Sequence, residues 1–291
     1  MVSDFEAQVR ATNEKINART GRPLVRAIAV GLALGFALLF SLIFVKELYM
    51  GFAGALVAFT SFELASALRF AGRDIPRLPT VAAAVAVVPA AFYWGADGHW
   101  LLTLAGVAFI GIWRCIELLR PSHRAGGMNL LKDLGAGAFI MAYVAFLASF
   151  TVLLTAQEGG QWWTLAFLII VIAVDTGAYA SGLLFGKHPM APRISPKKTW
   201  EGFAGSVVVA VVAGVLLGVL MLQQPWWVGV LLGLTMVVTA TTGDLAESLI
   251  KRDLGIKDIS TWLPGHGGFL DRVDSSLLSA AAAYALFLIF A

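Results

Sequence analysis

The chain is short of charge. Lys, Arg, Asp and Glu make up 13% of its 291 residues, against about 25% in an ordinary soluble domain. Set beside 59% hydrophobic residues, that shortage excludes a soluble globular enzyme, a disordered chain and a coiled coil. Cysteine is almost missing. Cys115 stands alone, so an internal disulfide is excluded and no oxidising compartment is implied. Internal repeats, low-complexity tracts and a second domain are also missing. The net charge of +3 does not indicate nucleic acid, because the basic residues are distributed as they are beside a membrane.

A bilayer core takes about 20 apolar residues of helix. Segments near 24–45, 49–67, 79–96, 100–118, 134–156, 162–185, 203–222, 225–246 and 275–291 meet that need. They predict an all-α, polytopic integral membrane protein with about nine transmembrane helices. Residues 1–23 form a polar arm. Residues 24–156 hold helices 1–5, and 157–291 hold helices 6–9 with polar loops at 186–202 and 247–274. The first span follows basic residues, as a signal peptide would. It is too long for an h-region and lacks a small-residue cleavage site, so it reads as a retained helix. With nine spans, every Lys and Arg except Lys46 falls at one end of the bundle. That end, and the N-terminal arm with it, is then cytoplasmic. Trp94, Trp100, Trp162, Trp163, Trp226 and Trp227 flank the opposite loops and read as an interfacial belt. The pairs Gly31/Gly35, Gly182/Gly186, Gly214/Gly218 and Gly229/Gly233 allow close helix contact, within or between subunits.

Acidic residues in such helices are the informative exceptions, since an Asp at mid-bilayer costs roughly 2.5–3.5 kcal/mol. Glu63, Asp175, Asp244 and Glu247 lie within or at the inner ends of the spans. Glu63, about one turn from the edge, suits an interfacial place as well as a functional one. Asp175 lies deeper, in a structural hydrogen bond or in a site. If helix 8 continues, Asp244, Glu247/Ser248 and Lys251 share one face. That stripe suits a metal–phosphate site, or a helix end reaching its polar groups to water. Pro264-Gly265-His266-Gly267-Gly268 cannot be helical and exposes backbone N–H groups to an anion. Asp271 and Asp274, three apart at the start of helix 9, share a face. Beside the glycine loop and Lys251 and Arg252, they point to a cation site of oxygen ligands, which suits Mg²⁺. His266 fits a proton donor, a phosphate contact or a loop-structuring side chain. The Ser195–Gly202 segment, with Lys197 and Lys198, lies at the same end and can share the site.

Ser248, Lys251 and Arg252, then Lys257-Asp258, then Pro264, His266, Gly267 and Gly268, then Asp271, Arg272 and Asp274 follow the pattern S-x-x-K-R-x4-K-D … P-x-H-G-G-x-x-D-R-x-D. This resembles the signature of the phosphatidate cytidylyltransferases (CDP-diacylglycerol synthases). Asp175–Tyr179 and Ser195–Gly202 also resemble family features, whereas the N-terminal half matches only as a set of hydrophobic helices. The resemblance implies a nucleotidyltransferase of phospholipid biosynthesis: CTP and phosphatidic acid give CDP-diacylglycerol and pyrophosphate. It implies Mg²⁺, with K⁺ in a paired-metal site, a homodimer, no nucleic acid, and a bacterial inner membrane with the site facing the cytoplasm. On it, Lys251, Arg252, His266, Arg272 and Ser248 are expected at the reacting phosphates, and Lys197, Lys198, Ser195, Gly267 and Gly268 at the substrates. Asp244 and Asp271 are expected at metal, assisted by Asp274 or Asp175. A transporter would also use the buried acids, but leaves the 248–274 pattern unexplained and lacks an inverted repeat. The motif of CDP-alcohol phosphatidyltransferases, D-G-x2-A-R…G-x3-D-x3-D, is absent. The sequence leaves open an enzyme using CTP on another lipid phosphate or a polyprenol.

Overall fold

In lipid, a spanning backbone must satisfy its own hydrogen bonds, and a long apolar run does so as a helix. The computed structural model describes residues 24–260, 262 and 267–291, and these are mainly helical. The N-terminal arm, Gly265 and His266 lie outside the described residues. The elements are α1 (Leu24–Phe44), α2 (Lys46–Phe70), α3 (Arg77–Glu117), α4 (Gly127–Ala156), α5 (Gly160–Phe185), α6 (Trp200–Leu220), α7 (Trp226–Asp253) and α8 (Leu270–Phe290). Among the described residues seven helices, α2 to α8, are long and apolar enough to cross a membrane. The chain is an integral membrane protein of the all-α class. Its one departure is an antiparallel hairpin of β1 (Pro189–Ala191) and β2 (Ser195–Thr199), where the sequence showed only a polar loop.

The segments expected at 79–96 and 100–118 are the two helical arms of α3, joined across a break at Gly95. A straight helix of 41 residues would run about 60 Å, twice the hydrocarbon core. The chain instead reverses at Gly95 (φ 62°, ψ −145°), a conformation open only to glycine. A Cβ on Gly106 would lie 3.4 Å from that of Ala83, so the two arms run side by side. In α4 a π-helical turn, Met141–Phe146, shifts the packing face midway.

The core has three parts. Phe167, Ile170, Leu232 and Met236 centre a cluster among α5, α6, α7 and α8. Val57, Val87 and Met141 centre another among α2, α3 and α4. Leu64, Ile140, Val144, Leu270 and Leu277 join the two through α8. Trp163, expected in the aromatic belt, belongs to the first cluster and is only 4% exposed. One residue along a helix turns the side chain by about 100°, so Trp162 faces out and Trp163 faces in.

The loops 68–78 and 119–133 meet at one end. Asp74 binds His123 Nδ1 at 2.6 Å and lies 3.4 Å from both Arg69 and Arg114. Arg114, counted among the basic residues of that end, is buried and donates twice to Asp133 Oδ2, at 2.8 and 3.1 Å. Arg252 Nε donates to Ile194 O at the same end. At the opposite end Lys46 Nζ donates to Gln157 O.

The glycine pairs resolve into contacts within the chain. A Cβ on Gly214 would sit 2.3 Å from Gly229 O, and one on Gly233 2.5 Å from Ala210 O. Backbone meets backbone across α6 and α7, whereas Gly35 of α1 faces open space. Gly229→Ala places a methyl 2.4 Å from Gly214 O. Helix propensity favours alanine by up to about 1 kcal/mol, but overpacking against backbone costs roughly 1–3 kcal/mol. The variant is therefore expected to unfold at a lower temperature in detergent; a Tm equal to or above wild type would show that α6 and α7 do not touch there.

Candidate active site

The site grows from the polar end of α7. The helix runs unbroken to Asp253, so Asp244, Ser248 and Lys251 stack along one face. Ser248 Oγ donates to Asp244 Oδ1 at 3.3 Å. Lys198 Nζ, from β2, lies 2.6 Å from Asp244 Oδ2. Lys251 reaches in the other direction: its ammonium touches the fully buried Glu247 and donates to Asp271 Oδ1 at 2.8 Å. Lys251 and Arg252 also complement the negative end of the helix dipole.

The start of α8 is held from two sides. Asp271 Oδ2 accepts from Gly268 N at 2.8 Å. Glu63 of α2, 2% exposed, accepts from the backbone N–H groups of Phe269 and Leu270, both at 3.0 Å, and from Ser260 Oγ. Of the two places open to Glu63, the structure gives a third: it caps the α8 terminus and anchors the preceding loop. Gly268 lies between the two acids, where a Cβ would sit 3.0 Å from a carboxylate oxygen of each. Gly267 has φ +83°, in the region that favours glycine.

Glycine also brings α7 against α8. A Cβ on Gly243 would meet Asp274 O at 2.5 Å, which sets Asp244 beside Asp274. Asp274 Oδ1 accepts from Ser275 N at 2.7 Å. From α5, Asp175 faces Asp244, Lys198, Arg272 and Ser275. Asp175, Tyr179, Lys197, Lys198, Ser206 and Asp244 line one cavity of about 280 Å³ between α5, β2, α6 and α7. The hairpin that carries the lysines is folded by Glu201, which accepts from the backbone N–H of Lys187 and of His188 and from His188 Nδ1. Thr199 caps α6 by accepting from Gly202 N at 3.1 Å. A Cβ on Gly202 would meet Ala178 O at 2.8 Å. The Thr, Glu and Gly of this segment thus build the hairpin and the α5–α6 crossing, which positive-inside charge alone leaves unexplained.

The structure therefore brings Asp175, Lys197, Lys198 and Asp244 into one cavity, and links Glu247, Lys251, Asp271 and Gly268 beside it. Ser195 does not reach the cavity; it pairs with Ala191 in the hairpin. Arg252 is exposed and braces that hairpin. Arg272 lines a different cavity, on the far side of Asp175.

The residues match those of known cytidylyltransferases along nearly the whole chain. The family model for the "Cytidylyltransferase family" covers residues 25–290. The chain belongs to this family. Relatives named phosphatidate cytidylyltransferase include one from Mycobacterium bovis, 41% identical over 278 residues, 92% of this chain and 89% of that protein. Another, from Mycobacterium leprae, is 38% identical over 94% of this chain and 90% of its own length. A third, from Brucella suis, is 41% identical over 157 residues, 54% of this chain and 57% of that protein.

For a cytidylyltransferase the donor set fits a hard cation: the oxygen donors are carboxylates and hydroxyls, and the one sulfur among the described lining residues is the thioether of Met190, a soft and weak donor. Asp175, Asp244 and Asp274 interact with one another, and Lys198 pairs with Asp244; like charges gathered in this way are relieved by a bound cation or by a proton held on one of them. They do not close into a cage. Among the described residues, the only three ligand-type side chains with donor atoms within 4.8 Å of one another are Asp74, Glu117 and His123. That trio belongs to the loop network, where Asp74 is already ion-paired to Arg69, Arg114 and His123. In the site, lysine ammoniums occupy the carboxylate oxygens of Asp244 and Asp271.

Glu63→Ala removes one carboxylate that serves Ser260 and two backbone donors. A lost charged cap costs about 1–3 kcal/mol. Faster amide exchange at Phe269 and Leu270, with α5 and α6 unchanged, is the expected result; protection equal to wild type would take Glu63 out of this role.

Proposed function

We propose that the chain is a phosphatidate cytidylyltransferase: CTP and phosphatidic acid give CDP-diacylglycerol and pyrophosphate. The observation that carries this reading is the cavity in which Lys197 and Lys198 face Asp175 and Asp244, in a chain whose relatives bear that name. A phosphomonoester has its second pKa near 6 and is largely dianionic at pH 7, so the nucleophile needs no strong base. A phosphatidate oxygen forms a bond to the α-phosphorus of CTP, and the α–β anhydride bond breaks with its electron pair leaving on pyrophosphate. The obstacle is charge, since both reactants are anions, and catalysis consists of positioning and neutralisation.

Lys197 and Lys198, on a hairpin held by Glu201, hold phosphates of the nucleotide. Lys251 and the N–H of Gly267 receive the departing pyrophosphate, with Gly268 holding Asp271 in place and Arg252 at the rim. Asp244, Asp271, Asp274 and Asp175 are the residues that would hold Mg²⁺, with K⁺ as its companion; when bound, the cation supplies charge neutralisation at the phosphates. Ser248 orients Asp244. His266 contacts a phosphate from the glycine loop.

The membrane arrangement completes the reading. With α3 folded back at Gly95, the eight helical elements make nine crossings, and the loops at 68–78, 119–133, 186–202 and 247–274 share the cytoplasmic side with the N-terminal arm. The first five crossings form one half, and residues 157–291 form the catalytic half. The enzyme lies in the bacterial inner membrane as a homodimer.

Purified protein with labelled CTP and a panel of lipid phosphates tests this. CDP-diacylglycerol and pyrophosphate are expected in equal amounts with phosphatidic acid and Mg²⁺. Product only from a polyprenyl phosphate, or none at all, would overturn the substrate assignment. Asp244→Asn is expected to lower kcat by at least about a hundredfold with an unchanged Tm, and near-normal turnover would remove it from the site. Lys251→Ala is expected to raise the KM for CTP and lower kcat. If both constants stay at wild-type values, Lys251 plays no part.

A further inference from the structure

A second cavity, of about 220 Å³, lies on the other side of Asp175 and is walled by α1, α2, α4, α5 and α8. Its lining is nearly all apolar, with Leu38, Ala53, Val57, Ala148, Ile172 and Leu277 among its walls. Tyr49, Thr151 and Ser276 add hydroxyls to the lining, but the pattern breaks most sharply at one end, at Arg272 and Thr60. Arg272 is exposed there and faces Asp175. Among the described residues it makes no ion pair within 4.0 Å. Thr60 is 1% exposed, and its hydroxyl has no hydrogen-bond partner. A buried hydroxyl without a partner is costly, and here it lines a slot beside a cation.

The dimensions are those of one leaflet. From Thr60 to Tyr49 at the slot's far end, α2 rises about 16 Å, half of a hydrocarbon core of about 30 Å. The charged end lies where α8 begins, at the level of the carboxylates, and the apolar end points toward mid-bilayer. Ile172, 65% exposed, opens the slot on the α1–α5 side. A nucleotide has no surface to match such walls. A lipid with an anionic phosphate and a chain one leaflet long matches both ends.

We propose that this slot holds an acyl chain of the phosphatidate substrate, with Arg272 on the lipid phosphate and Thr60 donating to the glycerol-ester region. This rests on the cytidylyltransferase reading above and adds to it the place and register of the lipid. The lipid phosphate then sits between Arg272 and the carboxylate cluster, and CTP enters from the opposite cavity.

Register supplies the test. Ala53 lies seven residues, about 10 Å of helix rise, below Thr60. A bulky side chain there blocks the far part of a long chain and spares a short one. Ala53→Phe is assayed on dioleoyl and dihexanoyl phosphatidate in detergent micelles. The ratio of kcat/KM for the long over the short substrate is expected to fall about tenfold, the effect of losing two buried methylenes. The KM for CTP is the internal control.

Ile172→Trp, at an exposed position whose replacement leaves the core intact, narrows the mouth and is expected to lower the same ratio. Arg272→Gln is expected to raise the KM for both phosphatidates alike. If Ala53→Phe and Ile172→Trp leave the ratio unchanged, the slot does not hold the substrate chain. The same holds if they release a co-purified phospholipid without changing the kinetics, since the slot then holds a structural lipid. A wild-type protein that makes no CDP-lipid from either substrate refutes the reaction itself, a result visible before any variant is compared.

Discussion

Repulsion among carboxylates governs this end of the molecule. Asp175, Asp244, Glu247, Asp271 and Asp274 converge where the bundle walls are hydrocarbon, and two ammoniums, Lys198 and Lys251, stand among them. In low dielectric such an excess of negative charge is relieved by further cations or by protons held on some of the acids. Lysine suits the part it plays here. It is a compact charge on a flexible stem, whereas arginine would lock a carboxylate in a two-pronged pair. On the cytidylyltransferase reading, Asp244 and Asp271 are the residues that would hold a cation, which would supply charge neutralisation at the phosphates. Lys198 and Lys251, which now pair with those acids, are then placed to neutralise the substrates.

This cluster constrains the scaffold. Acids on α5, α7 and α8 meet only if those helices approach closely, and glycine makes the approach possible: Gly243 against Asp274 O, Gly202 against Ala178 O. The loop before α8 is fixed in two ways: Trp262 and Phe269 pack on Phe59 of α2, and hydrogen bonds tie down its backbone. Glu63 reaches from α2 to hold Ser260, Phe269 and Leu270. The N-terminal helices thereby take part in the site although the signature residues lie in the C-terminal half.

What the sequence made legible follows from which forces are local. Hydrophobic length identifies spanning helices without tertiary information. The single exception of Lys46 placed the polar loops at one end, and contacts such as Arg252 with Ile194 O bring them there. The motif around Ser248–Asp274 was legible because it is nearly contiguous in the chain, and the family it resembles is the one to which the chain belongs. Tertiary choices were not. Nothing local distinguishes Trp162 from Trp163, since both are apolar neighbours and packing alone decides which turns inward. Arg114 counted as one more loop charge until Asp133, 19 residues away, buried it. Glu63 looked ambiguous because its partners lie some 200 residues downstream. The stretch around Gly95 was too long for one crossing and was read as two spans, 79–96 and 100–118; the residue at which the chain reverses, Gly95, lies at that boundary.

The two cavities explain why Asp175 sits so deep. Ile172 and Asp175 are three residues apart on α5, about 4.5 Å of rise, yet one lines the apolar slot and the other the polar cavity. The boundary between a lipid-like and a water-like environment is therefore drawn within one helical turn. A reaction joining a membrane-bound phosphate to a soluble nucleotide needs such a boundary, because neither substrate can cross far into the other's solvent. A carboxylate placed further toward the loops would gather cations in bulk water, where screening weakens them. Placed further toward mid-bilayer, it would lie beyond the reach of a lipid phosphate. On the proposed reading, Asp175, with Arg272 toward the apolar slot and Lys198 toward the polar cavity, stands at the depth where both phosphates can arrive.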